Sequence, residues 1–167
     1  MTTAYDWFLT AKTYWEVLYG EYYKDTFINI DNQISVATGL GYEIIRTPKT
    51  EWSVSCAIGY QEQQYVEVSE GDDDSSGSPF LASGLHFDQD LTKRIEFLVD
   101  YNMRLLNDDN GRYTHHSKST LSIDLVKDFD IDLSYIWDHI EKPQEDSDGV
   151  TPDQDDYQFI VSIVYDF

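Results

Sequence analysis

The chain has 167 residues, enough for one domain with a packed interior. Its formal net charge of -21 repels nucleic-acid phosphates and leaves cations or basic partners as the compatible ligands. No apolar run approaches the roughly 20 residues of a membrane helix, a test that a transmembrane barrel escapes because its lipid- and lumen-facing residues alternate.

Period-two segments recur along the whole chain, which predicts an all-β protein of about eight strands. They are centred on 4–20, 27–45, 51–67, 79–88, 93–106, 112–127, 129–142 and 155–167. The opening MTTAYDWF has neither a basic stretch nor an apolar run, so no signal peptide is read there. That suits a cytoplasmic chain, or one whose first residue stands at the start of a mature protein.

Along 27–45 one stripe is Ile28, Ile30, Ile34, Val36, Leu40, Tyr42 and the other is Asn29, Gln33, Ser35, Ala37, Gly39, Gly41. Cys56 falls on an apolar stripe of the next strand and reads as a small buried hydrophobe; as the single cysteine it excludes an internal disulfide and a cysteine-based metal site. Strands 93–106 and 129–142 repeat the division, with Ile95, Phe97, Val99 against Glu96, Asp100, Arg104, and Ile131, Leu133, Tyr135 against Asp130, Asp132, Ser134. The last strand alternates too, with Tyr157, Phe159, Val161, Ile163, Tyr165 and Phe167 on one face. At about 3.3 Å per residue and a tilt near 40°, it spans about 25 Å of bilayer.

The links come in two kinds. RTPKT (46–50), DQDLTK (88–93) and KDFD (127–130) are short, whereas GEYYKDT (20–26), EGDDDSSGS (70–78), NDDNGR (107–112) and KPQEDSDGVTPDQDD (142–156) are mostly longer and acidic. In an up-and-down meander the long links share one rim, and the short ones share the other with both termini; that asymmetry belongs to outer-membrane barrels.

An interior of about eight strands holds only modest side chains, so the bulky stripe is expected to face lipid and the small and charged stripe the axis. Tyr5, Trp7, Trp52 and Tyr165 would then form one aromatic belt, and Tyr19, Tyr22, Tyr65, Tyr113, Trp137 and Tyr157 the other. The expected architecture is an antiparallel up-and-down transmembrane β-barrel, larger if further N-terminal strands belong to it.

The segment FINIDNQISVATGLGYEIIRTPKTEWSVSCAIGY (27–60) resembles the hallmark of the salt-induced outer membrane protein family, bacterial β-barrels of unknown function. Asp25 with Phe27, Gly39, Gly41 with Tyr42, Thr47 with Pro48, and Gly59 with Tyr60 carry the likeness, and LSYIWDHIEKP with FIVSIVYDF matches the last hairpin. The resemblance implies a Gram-negative outer-membrane location. It makes Phe159, Val161, Ile163, Tyr165 and Phe167 a signal read by the barrel-assembly machinery, with outer-membrane lipid and lipopolysaccharide as surroundings. Family members carry a signal peptide and often more residues.

On the polar stripe, Lys12, Glu16, Glu43, Glu96, Asp100, Arg104, Lys118 and Asp124 are expected to share a narrow lumen as a charge network that plugs it. Asp72, Asp74 and Ser76 occupy alternate positions of a calcium loop, with Gly77 next, but Ser83 stands where the motif needs a carboxylate. With Asp146 and Asp148 on the same rim, weak Ca2+ or Mg2+ binding is a candidate role; solvated, mobile loops are the plainer one. His115 and His116 point to opposite faces, His86 receives no role, and His139 beside acidic link residues is the only hint of an enzymatic pair. No catalytic constellation appears, so the expected function is non-enzymatic, in envelope integrity or salt and osmotic adaptation. The alternatives are a structural barrel subunit of a larger envelope assembly and a soluble β-barrel binding a small apolar ligand.

Overall fold

The computed structural model describes residues 2–25, 30–66, 73–126, 129–143 and 150–165. Among these residues nine strands follow one another in a single antiparallel up-and-down sheet. They are β1 Thr2–Phe8, β2 Thr13–Asp25, β3 Ile30–Thr47, β4 Thr50–Tyr65, β5 Ser75–Asp90, β6 Ile95–Leu105, β7 Tyr113–Val126, β8 Phe129–Ile140 and β9 Asp155–Tyr165. Among the described residues β1 and β9 are edges and the sheet is not closed. The helical content there is one 3-10 turn, Asp108–Asn110, and no helix is long and apolar enough to cross a membrane, which says nothing about strands.

The ninth strand arises because the segment expected as one strand over 4–20 is a hairpin. The Leu9 and Thr10 N–H groups donate to the Thr13 carbonyl at 2.8 and 3.1 Å, and the Thr10 hydroxyl accepts from the N–H groups of Lys12 and Thr13. The same device turns β5 into β6, where Leu91 and Thr92 donate to the Ile95 carbonyl and the Thr92 hydroxyl accepts from the Arg94 N–H. Thr47 does likewise for Lys49 and Thr50 between β3 and β4. A threonine hydroxyl two or three residues ahead of a backbone N–H offers it a turn instead of a ladder partner. With nine strands, β1 starts at the rim of the long acidic links, and only β9 ends at the short-turn rim.

The sheet curls until β6 meets β2 across its hollow, where Arg104 Nη2 lies 2.5 Å from Glu21 Oε2. Burial along the central strands follows the small and polar stripe. Ser35 and Ser78 are fully buried and Gln33, Ala37, Gln61 and Gln63 nearly so, while Ile34, Val36, Leu40, Ile58 and Tyr60 are about half exposed on the convex side. Buried hydrophobic residues among those described are Ile30, Ala37, Tyr65 and Phe80.

Glycines make room for the aromatics that do point inward. A Cβ at Gly41 would overlap the ring of Tyr14, directly opposite on β2, and one at Gly59 would meet Phe80 opposite on β5. Bare backbone beneath a cross-strand ring lets a narrow interior hold the ring without widening.

Four placements differ from the sequence reading. Cys56 is exposed, because the apolar stripe on which it sits faces outward. Ile30 turns inward at 5% exposure: Asp31 is an extra residue against β4, so the face changes between Ile30 and Asn32. A second bulge at Val17 turns Tyr19 to the concave face opposite Ala37, and Tyr65, opposite Ile30, is buried there as well. Neither tyrosine belongs to an outer belt.

Candidate functional site

The concave face holds a cavity of about 430 Å3 toward the acidic-link rim. Side chains from β2, β3, β4, β6, β7, β8 and β9 line it. At its centre Arg104 bonds Glu21, and both side chains keep less than a fifth of their surface exposed. The Arg104 guanidinium also lies 5.2 Å over the Phe80 ring and 3.5 Å from Gln61 Oε1. A guanidinium this far from water needs its carboxylate, its ring and its amide together to offset desolvation. Beside it His116 Nδ1 lies 2.6 Å from Asp138 Oδ1, cross-strand partners on β7 and β8.

The register places Glu16, Glu43, Glu96, Asp100, Arg104, Lys118 and Asp124 on this concave face, but spread along its length. Asp100 stands between His86, whose Nδ1 is 2.7 Å from its carboxylate, and Lys118 opposite on β7. Glu43 takes both its bonds from Arg46 near the short-turn rim, at 2.9 and 3.0 Å. Lys12 lies elsewhere. It sits in the β1–β2 turn, donates from Nζ to the Ile44 carbonyl at 3.2 Å and rides 5.9 Å over the Tyr42 ring.

Glu21, the partner Arg104 uses, was missed because it was read as part of the link 20–26. The continued alternation Tyr19, Glu21, Tyr23 was the available signal, since β2 runs on to Asp25.

The link 107–112 is a built cap over one end of the cavity. The Asn107 side chain accepts from the Asn110 N–H, the Ser78 hydroxyl accepts from the Asn107 N–H, and Asn110 Nδ2 donates to Ser76 Oγ at 2.7 Å. Lys142 reaches over from the end of β8 to Asp108 at 2.6 Å and holds that carboxyl below the usual carboxylate range. A loop expected to be solvated and mobile is thereby tied to β5 and β8.

Of the candidate cation ligands, Asp72, Asp146 and Asp148 lie outside the described residues. Asp74 is exposed and its carbonyl accepts from the Tyr65 N–H; Ser76 is engaged by Asn110. Among the described residues no group of three or more His, Cys, Asp or Glu is arranged to hold a metal ion.

On the convex face Phe159, Val161, Ile163 and Tyr165 are 50–74% exposed, while Phe167 lies outside the described residues. His115 faces outward, stacked 5.8 Å from Trp137, opposite in sense to His116. Trp137 Nε1 and His139 Nδ1 both meet the Asp155 carboxylate, at 2.8 and 2.9 Å.

A family model described as protein of unknown function, DUF481, matches residues 1–167. The chain belongs to the DUF481 family. That description carries no function and no mention of salt induction, so this DUF481 chain takes from its family a membership and not an activity. No curated protein and no solved structure matches it.

Proposed function

We propose that this protein is a non-enzymatic outer-membrane β-barrel of Gram-negative bacteria, its convex face against acyl chains and its lumen closed by internal ion pairs. The observation that carries the reading is the inverted burial of β3. Ile34 and Val36 are 54% and 48% exposed on either side of a Ser35 with no exposure at all. A water-soluble sheet of this size turns its bulky stripe inward, since each buried Ile or Val stabilises it by about 1.5–3 kcal/mol. Here Tyr5, Trp7, Leu40, Ile58, Leu81, Phe159 and Ile163 continue the outward apolar surface around the sheet. A patch so large marks a membrane or protein contact.

The alternative of a soluble barrel around an apolar ligand loses ground on the same burial, because the bulky stripe lies on the convex side and ion pairs and amides share the cavity with its apolar residues. Envelope integrity or salt and osmotic adaptation would be the work of a closed wall with acidic links at one rim. That β1 and β9 are the edges of the sheet among the described residues favours a second reading, a structural subunit of a larger envelope assembly.

Refolding into detergent tests the membrane reading. The expected result is a species that is monodisperse only in detergent and migrates differently in gels before and after boiling. A stable, monodisperse sample in plain buffer would overturn it. In planar bilayers the refolded chain is expected to show no steady conductance, as long as the Arg104–Glu21 pair spans the lumen.

A further inference from the structure

We propose that the concave cavity beneath the 107–112 cap is a binding site for a neutral saccharide of one or two rings. The argument begins with three buried amides. Gln33, Gln61 and Gln63 are 8%, 3% and 8% exposed, and all three line the cavity. Each primary amide offers two donors and two acceptor lone pairs. Among the described residues their contacts are long: Gln33 Nε2 to Ser35 Oγ at 3.4 Å, Gln61 Nε2 to Gln63 Oε1 at 3.2 Å, and Arg104 Nη1 to Gln61 Oε1 at 3.5 Å. At these exposures a small edge of each amide is open to the hollow, and that edge is what a ligand would meet. Side chains that donate and accept side by side match hydroxyl groups, which do both.

Charge and shape narrow the class. Arg104 is matched by Glu21 and His116 lies against Asp138, so an anionic ligand would have to displace a carboxylate to gain a partner. The remaining lining adds Asp153 and Asp156, while Lys142 is held by Asp108, a balance that disfavours anions. Tyr19, Ile136 and Ile140 supply apolar surface beside the amides, which suits the C–H faces of a pyranose ring. The volume of about 430 Å3 lies at the low end of small-molecule sites, about 300–1,000 Å3. The inference rests on the hollow of the sheet and holds whether or not the convex face meets lipid.

The test is saturation-transfer NMR on the full refolded chain with maltose, sucrose, trehalose and lactose, alongside glucose 6-phosphate and spermidine as charged comparators. At least one neutral saccharide is expected to bind, and neither charged compound should compete with it. Gln61→Leu and Gln63→Leu should each weaken binding about tenfold, and Gln89→Leu, on the opposite face near the short-turn rim, should leave it unchanged. Gln61→Glu keeps the polarity that the fold requires and removes the donors; it is expected to weaken binding as well. Failure of all four saccharides to bind the unaltered chain would overturn the proposal. So would a preference for a charged comparator, or binding indifferent to Gln61→Glu.

Discussion

Arg104 and Gly41 show how single residues set the hollow of this sheet. Removing one partner of a buried ion pair leaves the other charge without compensation, at a cost of about 3–5 kcal/mol. Arg104→Ala and Glu21→Ala are therefore expected to lower stability in denaturant titrations and to give intermittent conductance in planar bilayers, while the double replacement costs less than the sum of the two. Gly41→Ala drives a methyl group into the Tyr14 ring and is expected to cost about 1–3 kcal/mol; Tyr14→Leu in the same chain should recover part of it. Asp108 gives a pH dependence of stated sign. Lys142, and more weakly Arg112, lowers its carboxyl below the unfolded value, so the anchor is in place above about pH 4 and is lost as pH falls through the lower folded value. A carbon-13 titration of Asp108 should show that value rise in Lys142→Met, with faster amide exchange at Asn110 as the cap loosens.

Strands and turns decide the next level. Three short turns use the same threonine hydroxyl, at Thr10, Thr47 and Thr92, to hold backbone N–H groups that a strand would have given to its neighbour. Replacing any one by Val keeps shape and removes the acceptor. A loss of about 1 kcal/mol per turn is expected in unfolding titrations, with Thr10→Val also fraying β1, the shortest strand. The resemblance of LTAKT (9–13) to RTPKT (46–50) and of both to LTKRI (91–95) was visible in the sequence, and would have divided the segment 4–20 correctly. The bulges at Val17 and Asp31 were not visible, because an extra residue has meaning only against the partner strand it fails to match. They are the reason Tyr19 and Ile30 were assigned to the wrong side.

For the whole molecule the strand count carries a consequence. In an up-and-down sheet alternate strands run oppositely, so β1 and β9 run the same way. Open edges do not persist in hydrocarbon, where each unsatisfied backbone group costs several kcal/mol. A wall of these nine strands closed on itself has a parallel seam, and cysteine pairs placed on β1 and β9 in a Cys56→Ser background then cross-link in steps that move the same way along both. Pairs stepping in opposite senses cannot come from one β1 meeting its own β9. They would mean that the edge of a second copy meets this one, whereas further strands lying between β1 and β9 would abolish the cross-links.

Alternation by itself determined that the chain is an antiparallel meander with two unlike faces and two unlike rims, because side chains on a strand must take opposite sides and turn chemistry is local. It also put Glu16, Asp100 and Arg104 on a common face, since that too follows from parity. Only the tertiary structure decided which partners meet across the hollow: Glu21 finds Arg104 from four strands away, and three glutamines converge on one cavity. The physical reason is curvature. How tightly a sheet rolls, and where bulges shift its register, depends on every strand at once, and no window of the sequence contains it.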